Sequence, residues 1–223
     1  PSHPARIAHP QPGTLDGGKA IWQLNTVKSM GIAERRTRQK RTLRENILTA
    51  ARQMFAEEGF EHVTMRRLAQ RIEYSPTAIY LHFQDKQSLI AELCEETFAR
   101  LVHELEDLPS ESKDPLVGLR RGLERYVAFG LKYPQHYLAT FVIPNGISHD
   151  GPSLTRLQAP ESNGMRALGI LRQIVAECVR QKKLKAKDVD VMTRALWAGI
   201  HGITSLLIGY EHFPWGDRQA VVR

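Results

Sequence analysis

The sequence of 223 residues predicts an all-α protein, and three observations support this fold class. Apolar residues recur at the i, i+3, i+4 and i+7 spacing of a helix over most of the chain after residue 34. Ser, Thr or Asp stands directly before several of these segments, in the position of a helix N-cap. No stretch has the strict alternation of a half-buried strand. We therefore predict roughly eight or nine helices and no sheet.

The segment from Thr64 to Phe83 holds two short helical patterns and a tight turn within the length of one helix-turn-helix unit. Thr64 and Ser75 are suitable N-caps, and Pro76 fits the first helical position, where no N–H is needed. Ile79 and Phe83 are four residues apart and face inward. The outward positions of the second helix are Pro76, Thr77, Ala78, Tyr80 and His82.

Longer helices flank this unit. We predict helix 1 from Glu34 to a stop at Gly59, and helix 4 from the N-cap Asp85 to a stop before Pro109. The other predicted helices span residues 115–133, 135–142, 161–183 and 188–210. Residues 108–114 and 144–160 are predicted loops, with one helical turn near residues 154–157.

Composition divides the chain into three predicted parts: an N-terminal extension at 1–33, a helix-turn-helix domain at 34–86 and a second helical domain at 87–223. Residues 1–29 are rich in Pro, Gly and His and lack apolar periodicity, so we expect them to be disordered. They contain neither a secretory signal nor a membrane-length segment. Met30 directly precedes the first helical pattern, and we expect it to mark the natural start.

Positive charge is concentrated around the helix-turn-helix pattern. The formal net charge is +7; residues 30–86 hold 11 Lys/Arg against 7 Asp/Glu, whereas residues 87–223 hold 17 against 16. The densest run, from Arg35 to Arg44, has six basic residues and no acid. A basic run is more often a solvated face than a specific site, but its position before a helix-turn-helix favours a polyanionic partner.

The two cysteines, Cys94 and Cys178, each lie inside a helical pattern. We expect two small buried side chains in a reducing, cytoplasmic compartment rather than a disulfide. The nine histidines show no metal-ligand spacing with the cysteines. We therefore predict no metal site and no cofactor.

The last predicted helix, residues 188–210, is apolar on nearly every face and must be buried all round. A second protomer and a membrane are the two candidates to cover it. His201, Thr204 and Ser205 interrupt the apolar run, which favours the second protomer over the membrane. Glycines in this helix would let a neighbouring helix approach closely.

Three segments resemble parts of a known family. Residues 59–89, G-F-E-H-V-T-M-R-R-L-A-Q-R-I-E-Y-S-P-T-A-I-Y-L-H-F-Q-D-K-Q-S-L, resemble the N-terminal DNA-binding domain of the TetR family of bacterial transcriptional regulators, and the match extends over about residues 38–90. Residues 126–141, Y-V-A-F-G-L-K-Y-P-Q-H-Y-L-A-T-F, and Trp197-Ala-Gly-Ile-His201-Gly202 are similar to the ligand-binding half of the subgroup with a Trp…His-Gly (WHG) signature.

The resemblance implies a transcriptional regulator, expected to be a repressor, that binds a palindromic operator on double-stranded DNA as a homodimer. It implies a four-helix interface built from residues 161–183 and 188–210 of each protomer. It also implies a small-molecule cavity in the C-terminal half. From linkage, we expect an unidentified effector bound there to release the DNA through helix 4. One departure concerns the turn between helices 2 and 3, where the family usually has Gly and this chain has Glu73-Tyr74. Either the turn avoids a positive φ or it is strained by ~1–2 kcal/mol.

The predicted DNA-binding residues are Thr64, Arg66, Tyr74, Ser75, Pro76, Thr77, Ala78, Tyr80, His82 and Lys86. Thr77 and Ala78 are small enough to approach bases, and the family pattern places Thr64, Tyr80 and Lys86 on phosphates. His82 either braces helix 4 or contacts phosphate. Tyr74 either packs or contacts DNA.

The predicted ligand-binding residues are Phe98, Tyr126, Phe129, Tyr137, Phe141, Met165, Trp197 and His201. Each one singly is also consistent with an ordinary core aromatic or apolar residue. The small charge excess of this half favours a neutral or weakly polar ligand.

Two other functions compete with ligand-controlled regulation. An enzyme is disfavoured because no paired carboxylates, nucleophile elbow, Ser/Cys–His arrangement or phosphate loop occurs at a useful spacing. A DNA-binding protein without a ligand, whose C-terminal half serves only dimerisation, stays open.

Overall fold

The computed structural model describes residues 17–59, 62–141, 157–210, 212–217 and 220. Within these ranges the chain forms nine helices and no strand, which confirms the all-α class. The helices are α1 (Gly17–Glu58), α2 (Met65–Arg71), α3 (Pro76–Tyr80), α4 (Lys86–Leu105), α5 (Leu108–Glu111), α6 (Pro115–Lys132), α7 (Pro134–Phe141), α8 (Asn163–Arg180) and α9 (Val189–Gly209). The chain divides into two compact units, Pro1–Glu45 and Asn46–Arg223.

The described part of the first unit is the N-terminal part of α1. We expected disorder up to residue 29 and no regular structure before Glu34, but the helix begins at Gly17. The four prolines that suggested disorder all precede Gly17, so none of them interrupts the helix. The basic run from Arg35 to Arg44 lies within α1, and its side chains up to residue 42 are exposed.

Three predicted N-caps of the second unit are confirmed. The Thr64 hydroxyl accepts a hydrogen bond from the Arg67 backbone N–H at 3.2 Å and starts α2. The Ser75 hydroxyl accepts from the Ala78 N–H at 3.2 Å and starts α3. Asp85 accepts from the Ser88 N–H at 2.6 Å, and Ser88 returns the bond to form a capping box at α4.

The inner faces of α2 and α3 are packed as the spacing predicted. Leu68 and Ile79 are fully buried and Phe83 is nearly so. Ile47 of α1 and Leu89 of α4 are also buried. The inward residues of α2 and α3 are thus removed from solvent, and the outer face of the helix-turn-helix is left exposed.

The C-terminal helices pack around a second core, to which α4, α6, α7, α8 and α9 contribute. The caps of α6, α8 and α9 are Asp114, Ser162 and Asp188. The segment 108–114, predicted to be a loop, contains the single turn α5, because Leu108 is buried and Pro109 fits the first turn of a helix. The predicted loop 144–160 and its helical turn near 154–157 lie mostly outside the described residues.

Both cysteines are free thiols and are buried, in agreement with their predicted role as small core side chains.

Candidate DNA interface and ligand cavity

The outer face of α2 and α3 presents most of the predicted DNA-binding residues to solvent. Thr64, Arg66, Ser75, Pro76 and Thr77 are exposed. Tyr74 and Tyr80 are also exposed, whereas Ala78, His82 and Lys86 are half-buried. The first turn of α3 therefore carries only small side chains on its exposed side, and α2 carries three exposed arginines, Arg66, Arg67 and Arg71.

The turn between α2 and α3 adopts the conformation in which the family usually has Gly. Glu73 has φ +58°. The Tyr74 N–H reaches back to the Ala69 carbonyl at 3.0 Å, which closes the C-terminus of α2. The chain therefore accepts a left-handed non-glycine residue, at a cost of ~1–2 kcal/mol. Tyr74 is 47% exposed, so it is not forced into a buried turn position.

Lys86 has a structural contact in addition to its predicted role on phosphate. Its ammonium group donates to the Val63 carbonyl at 2.9 Å and so ties the start of α4 to the segment that precedes α2. On α2, Arg67 forms an ion pair with Glu58 at 2.6 Å. Of the first two arginines of α2, Arg66 is therefore the better candidate for phosphate.

One exposed side chain of this surface was missed by the sequence analysis. Leu81 is 74% exposed and directly follows Tyr80 at the end of α3. It falls off the face defined by Ile79 and Phe83, which is the one sequence signal that could have placed it outside.

A cavity of about 290 Å³ lies among α4, α5, α6, α8 and α9. This volume is near the lower end of the ~300–1,000 Å³ typical of small-molecule sites. The lining residues are Phe98, Leu101, Leu105, Leu108, Leu119, Gly122, Leu123, Tyr126, Leu157, Gly164, Met165, Ala167, Leu168, Ile170, Leu171, Ile174, Trp197 and Ile200. Its wall is almost entirely hydrocarbon.

Four of the eight predicted ligand-binding residues line this cavity: Phe98, Tyr126, Met165 and Trp197. The other four do not, namely Phe129, Tyr137, Phe141 and His201. Phe129 is buried against Tyr133, with ring centroids 5.3 Å apart. Phe141 lies behind the wall and packs edge-on against Phe98 at 5.5 Å.

The sequence-based prediction did not include the aliphatic residues of the wall. It consists of leucines and isoleucines of α4, α6, α8 and α9, such as Leu101, Leu123, Leu171 and Ile200. Their helical spacing marks them as inward-facing but does not distinguish a residue that faces a cavity from one that faces the packed core.

A chain of polar side chains stands at one side of the cavity. The Tyr126 hydroxyl is 3.4 Å from the Tyr137 hydroxyl. The Tyr137 hydroxyl is 2.6 Å from His201 Nδ1. Burial raises the pKa of both tyrosines and lowers the pKa of His201. These hydrogen-bonded side chains are therefore uncharged near pH 7.

The outward side of α9 is uncovered in a single chain. Val191 is 62% exposed, and Ala195 and Ala198 are exposed on the same side. A Cβ added at Gly199 or Gly202 would meet no other atom within 4 Å. By length and composition α9 is apolar enough to cross a membrane, but that is weak grounds for a span, since core helices pass the same test.

A partly buried ion pair links α1 to α4 within the second unit. Arg52 Nη2 lies 2.6 Å from Glu96 Oε2, with the Arg52 side chain 11% exposed. Burial, together with the positive charges of Arg52 and Arg100, lowers the pKa of His136 on α7 to about 4. Its ring Nδ1 is buried without a hydrogen-bond partner. His136 is therefore held neutral where α7 approaches this pair.

This arrangement makes stability depend on pH. In the unfolded chain His136 takes up a proton near its usual pKa of 6.5, whereas in the folded chain it does so only near 4. We expect the free energy of unfolding to fall as the pH drops from about 6.5 towards 4. Thermal unfolding at several pH values should show that His136→Gln loses less stability than the wild type as the pH is lowered. His103→Gln, at an exposed histidine, is the control, and an equal slope in both variants would contradict the prediction.

Two family models match the chain. The model described as bacterial regulatory proteins of the tetR family matches residues 47–93. The model described as a tetracyclin repressor-like C-terminal domain matches residues 119–222. The first match covers the helix-turn-helix, and the second covers most of α6 and all of α7, α8 and α9, including the uncovered side of α9.

Named relatives and solved structures agree with these matches. The chain is 39% identical over 87 residues to the HTH-type transcriptional repressor AcnR of Corynebacterium efficiens, a match that covers 37% of this chain and 43% of the relative. PfmR of Thermus thermophilus, a TetR family transcriptional regulator, has a TM-score of 0.60 at 25% identity and covers 74% of this chain and 83% of its own. AibR, solved in complex with isovaleryl coenzyme A and operator DNA, has a TM-score of 0.62 at 14% identity and covers 73% and 85%.

The matched segment thus spans less than half of the AcnR chain, while the helical fold is shared over most of the solved neighbours. One family model describes the tetR family and the other a tetracyclin repressor-like C-terminal domain, and together they cover the helix-turn-helix and the C-terminal helices from residue 119 onward. The chain therefore belongs to the TetR family of bacterial regulatory proteins.

Proposed function

We propose that this chain is a cytoplasmic transcriptional repressor that binds a palindromic operator as a homodimer and is released by a small molecule held in its cavity. Residues 34–86 serve as the DNA-binding domain and residues 87–223 as the ligand-binding and dimerisation domain. The observation that carries the proposal is the exposed, small-residue start of α3 in a helix-turn-helix whose inward face is buried.

The family supports the broad outline. TetR-family members are transcriptional regulators rather than enzymes, and they bind DNA and act as dimers with small-molecule effectors. AcnR is a transcriptional repressor, and AibR has been solved with both an acyl-coenzyme A and operator DNA.

DNA recognition is assigned to the first turn of α3. Thr77 and Ala78 can enter a major groove because Ser75 and Pro76, which directly precede them, are also small, and either methyl suits the methyl group of thymine. Thr64, Arg66 and Tyr80 are exposed and are assigned to phosphates, where they would fix the register without reading sequence.

Dimerisation is assigned to α8 and α9. The exposed side of α9 consists mainly of small and aliphatic residues, with Arg194 among them, and the absence of Cβ atoms at Gly199 and Gly202 allows a close helix crossing. Two α3 helices must then stand about 34–36 Å apart to meet successive major grooves.

Release is assigned to α4. Phe98 of α4 lines the cavity, while Lys86 at the start of the same helix is bonded to the segment that precedes α2. A ligand that favours a different position of α4 weakens DNA binding by its differential affinity for the two conformations, and by no more.

The proposal is tested by selecting bound fragments from a random pool of double-stranded DNA with the full chain. A dimer with two α3 helices should return a palindrome whose half-sites are about 10 base pairs apart, centre to centre. Recovery of sequences without two-fold symmetry would overturn the dimeric operator.

Two substitutions on the DNA surface should have different effects. Arg66→Ala should weaken binding to all sequences alike and reduce the salt dependence by about one counterion, because it removes a phosphate contact. Thr77→Ala should change the base preference at one position of each half-site by about 1–3 kcal/mol. Fluorescence anisotropy with the selected operator and with random DNA, at two salt concentrations, separates the effects. Equal losses on both DNAs for both variants would contradict the assignment.

A further inference from the structure

The cavity wall has a single polar spot. Among its described lining residues, only Tyr126 and Trp197 carry a side-chain nitrogen or oxygen, and the two lie together. Every other lining side chain is aliphatic, a phenyl ring or a thioether. A ligand in the cavity therefore meets hydrocarbon everywhere except at this pair.

The hydrogen bonds around this spot leave the proton of the Tyr126 hydroxyl only weakly bonded. Burial raises the pKa of Tyr126, and the nearby Trp197 N–H acts on this pKa in the opposite direction. The Tyr137 hydroxyl is closely bound, 2.6 Å from His201 Nδ1 and 3.2 Å from the His201 carbonyl. The Tyr126 and Tyr137 hydroxyls, in contrast, are 3.4 Å apart, well beyond the usual ~2.7–2.8 Å of an O–H···O bond. The Tyr126 hydroxyl can thus turn its hydrogen bond to a better acceptor in the cavity at little cost.

Charged ligands do not fit this wall. No Lys, Arg or His occurs among the described lining residues, so a carboxylate in the cavity would be buried without a counter-charge. No Asp or Glu occurs there either, which excludes an ammonium group on the same grounds. Because burial raises the pKa of Tyr126, its phenol does not supply a compensating charge near pH 7.

The volume of the cavity limits the size of the ligand. At ~30 Å³ for each water-sized group, a cavity of 290 Å³ holds a molecule of roughly ten non-hydrogen atoms.

We propose that the cavity selects a neutral, mainly hydrocarbon molecule of roughly ten non-hydrogen atoms with one carbonyl oxygen, and that the Tyr126 hydroxyl donates a hydrogen bond to that oxygen. This inference rests on the proposed function only in taking the cavity as the effector site. It adds the chemical class of the effector and the residue that recognises its polar atom.

The test uses three probes of similar size and shape with the full chain: 4-phenyl-2-butanone, which has the carbonyl; butylbenzene, which lacks it; and 3-phenylpropanoate, which replaces the methyl ketone by a carboxylate. Calorimetric titration should show that the ketone binds the wild type at least tenfold more tightly than the carboxylate. In Tyr126→Phe the affinity for the ketone should fall by about three- to tenfold, while the affinity for butylbenzene stays unchanged.

Tyr133→Phe is the matched control, because it removes a hydroxyl at the end of the same helix but outside the cavity wall. It should leave all three affinities unchanged. Equal losses for ketone and hydrocarbon in Tyr126→Phe, carboxylate binding as tight as ketone binding, or no binding of any probe would each overturn the proposal. The comparison of ketone and carboxylate on the wild type needs no variant and decides even if Tyr126→Phe fails to fold.

The DNA selection keeps the two proposals separable. A palindromic operator without a preference for the ketone overturns the ligand class and leaves the operator standing. Tight ketone binding without a palindrome overturns the operator and leaves the ligand class standing.

Discussion

Replacing Ala198 by arginine should convert the dimer into monomers and weaken operator binding by about 100-fold or more. Ala198 lies on the exposed side of α9, beside Gly199 and Gly202, where the two protomers are proposed to meet. An arginine there would be buried against an apolar partner helix without a counter-charge. A monomer binds only one half-site, and the loss of the second, linked contact reduces affinity by ~10²–10⁴.

Sedimentation measures the change in mass, and fluorescence anisotropy with the selected operator measures the affinity. Ala128→Arg is the matched control, because Ala128 is also an exposed helical alanine but lies on α6. It should leave the mass and the operator affinity unchanged. A dimeric Ala198→Arg protein with normal operator affinity would refute the interface on α9.

Gly130→Ala should lower the free energy of unfolding by roughly 1–3 kcal/mol. A Cβ at position 130 would lie 2.3 Å from the Thr204 methyl group and 3.1 Å from the Tyr137 ring. Neither neighbour can move aside easily, since both side chains are fully buried and the Thr204 hydroxyl donates to the Ile200 carbonyl at 2.7 Å. The clash therefore exceeds the gain of up to ~1 kcal/mol that alanine brings in helix propensity.

Gly118→Ala on the same helix is the control. Its Cβ would meet only the Leu108 carbonyl oxygen, at an ordinary 3.7 Å. It should raise the free energy of unfolding by up to ~1 kcal/mol. Urea denaturation of both variants should give changes of opposite sign, and stabilisation of both would show that α6 and α9 are less closely packed at Gly130 than described.

The helix-turn-helix was predictable because its determinants are local. Thr64, Ser75 and Asp85 each cap the helix that follows them, through hydrogen bonds that reach only three residues along the chain. The burial of Ile79 and Phe83 follows from their four-residue spacing. These rules do not require knowledge of the rest of the molecule.

The conformation of the turn at Glu73 could not be predicted from local sequence rules. The sequence left two alternatives, a turn that avoids a positive φ and a turn that accepts it. The structure has φ +58° at Glu73, closed by the bond from Tyr74 to Ala69. Packing of α2 against α3 determines the direction of the chain here, and it outweighs a preference of ~1–2 kcal/mol.

At the start of α1 the sequence-based prediction of disorder was wrong. Prolines near the N-terminus suggested disorder as far as residue 29, but they act only on their immediate neighbours. The helix begins at Gly17, after the last of them.

The sequence by itself determined the all-α class, the helix-turn-helix with its caps and inner face, and the apolar character of α9. Only the tertiary structure decided which inward-facing side chains line the cavity. Tyr126 and Trp197 face it, whereas Tyr137 and His201 bind each other behind its wall. Helical spacing tells which side of a helix faces inward, but the distance between neighbouring helices decides whether that side meets another side chain or an open space.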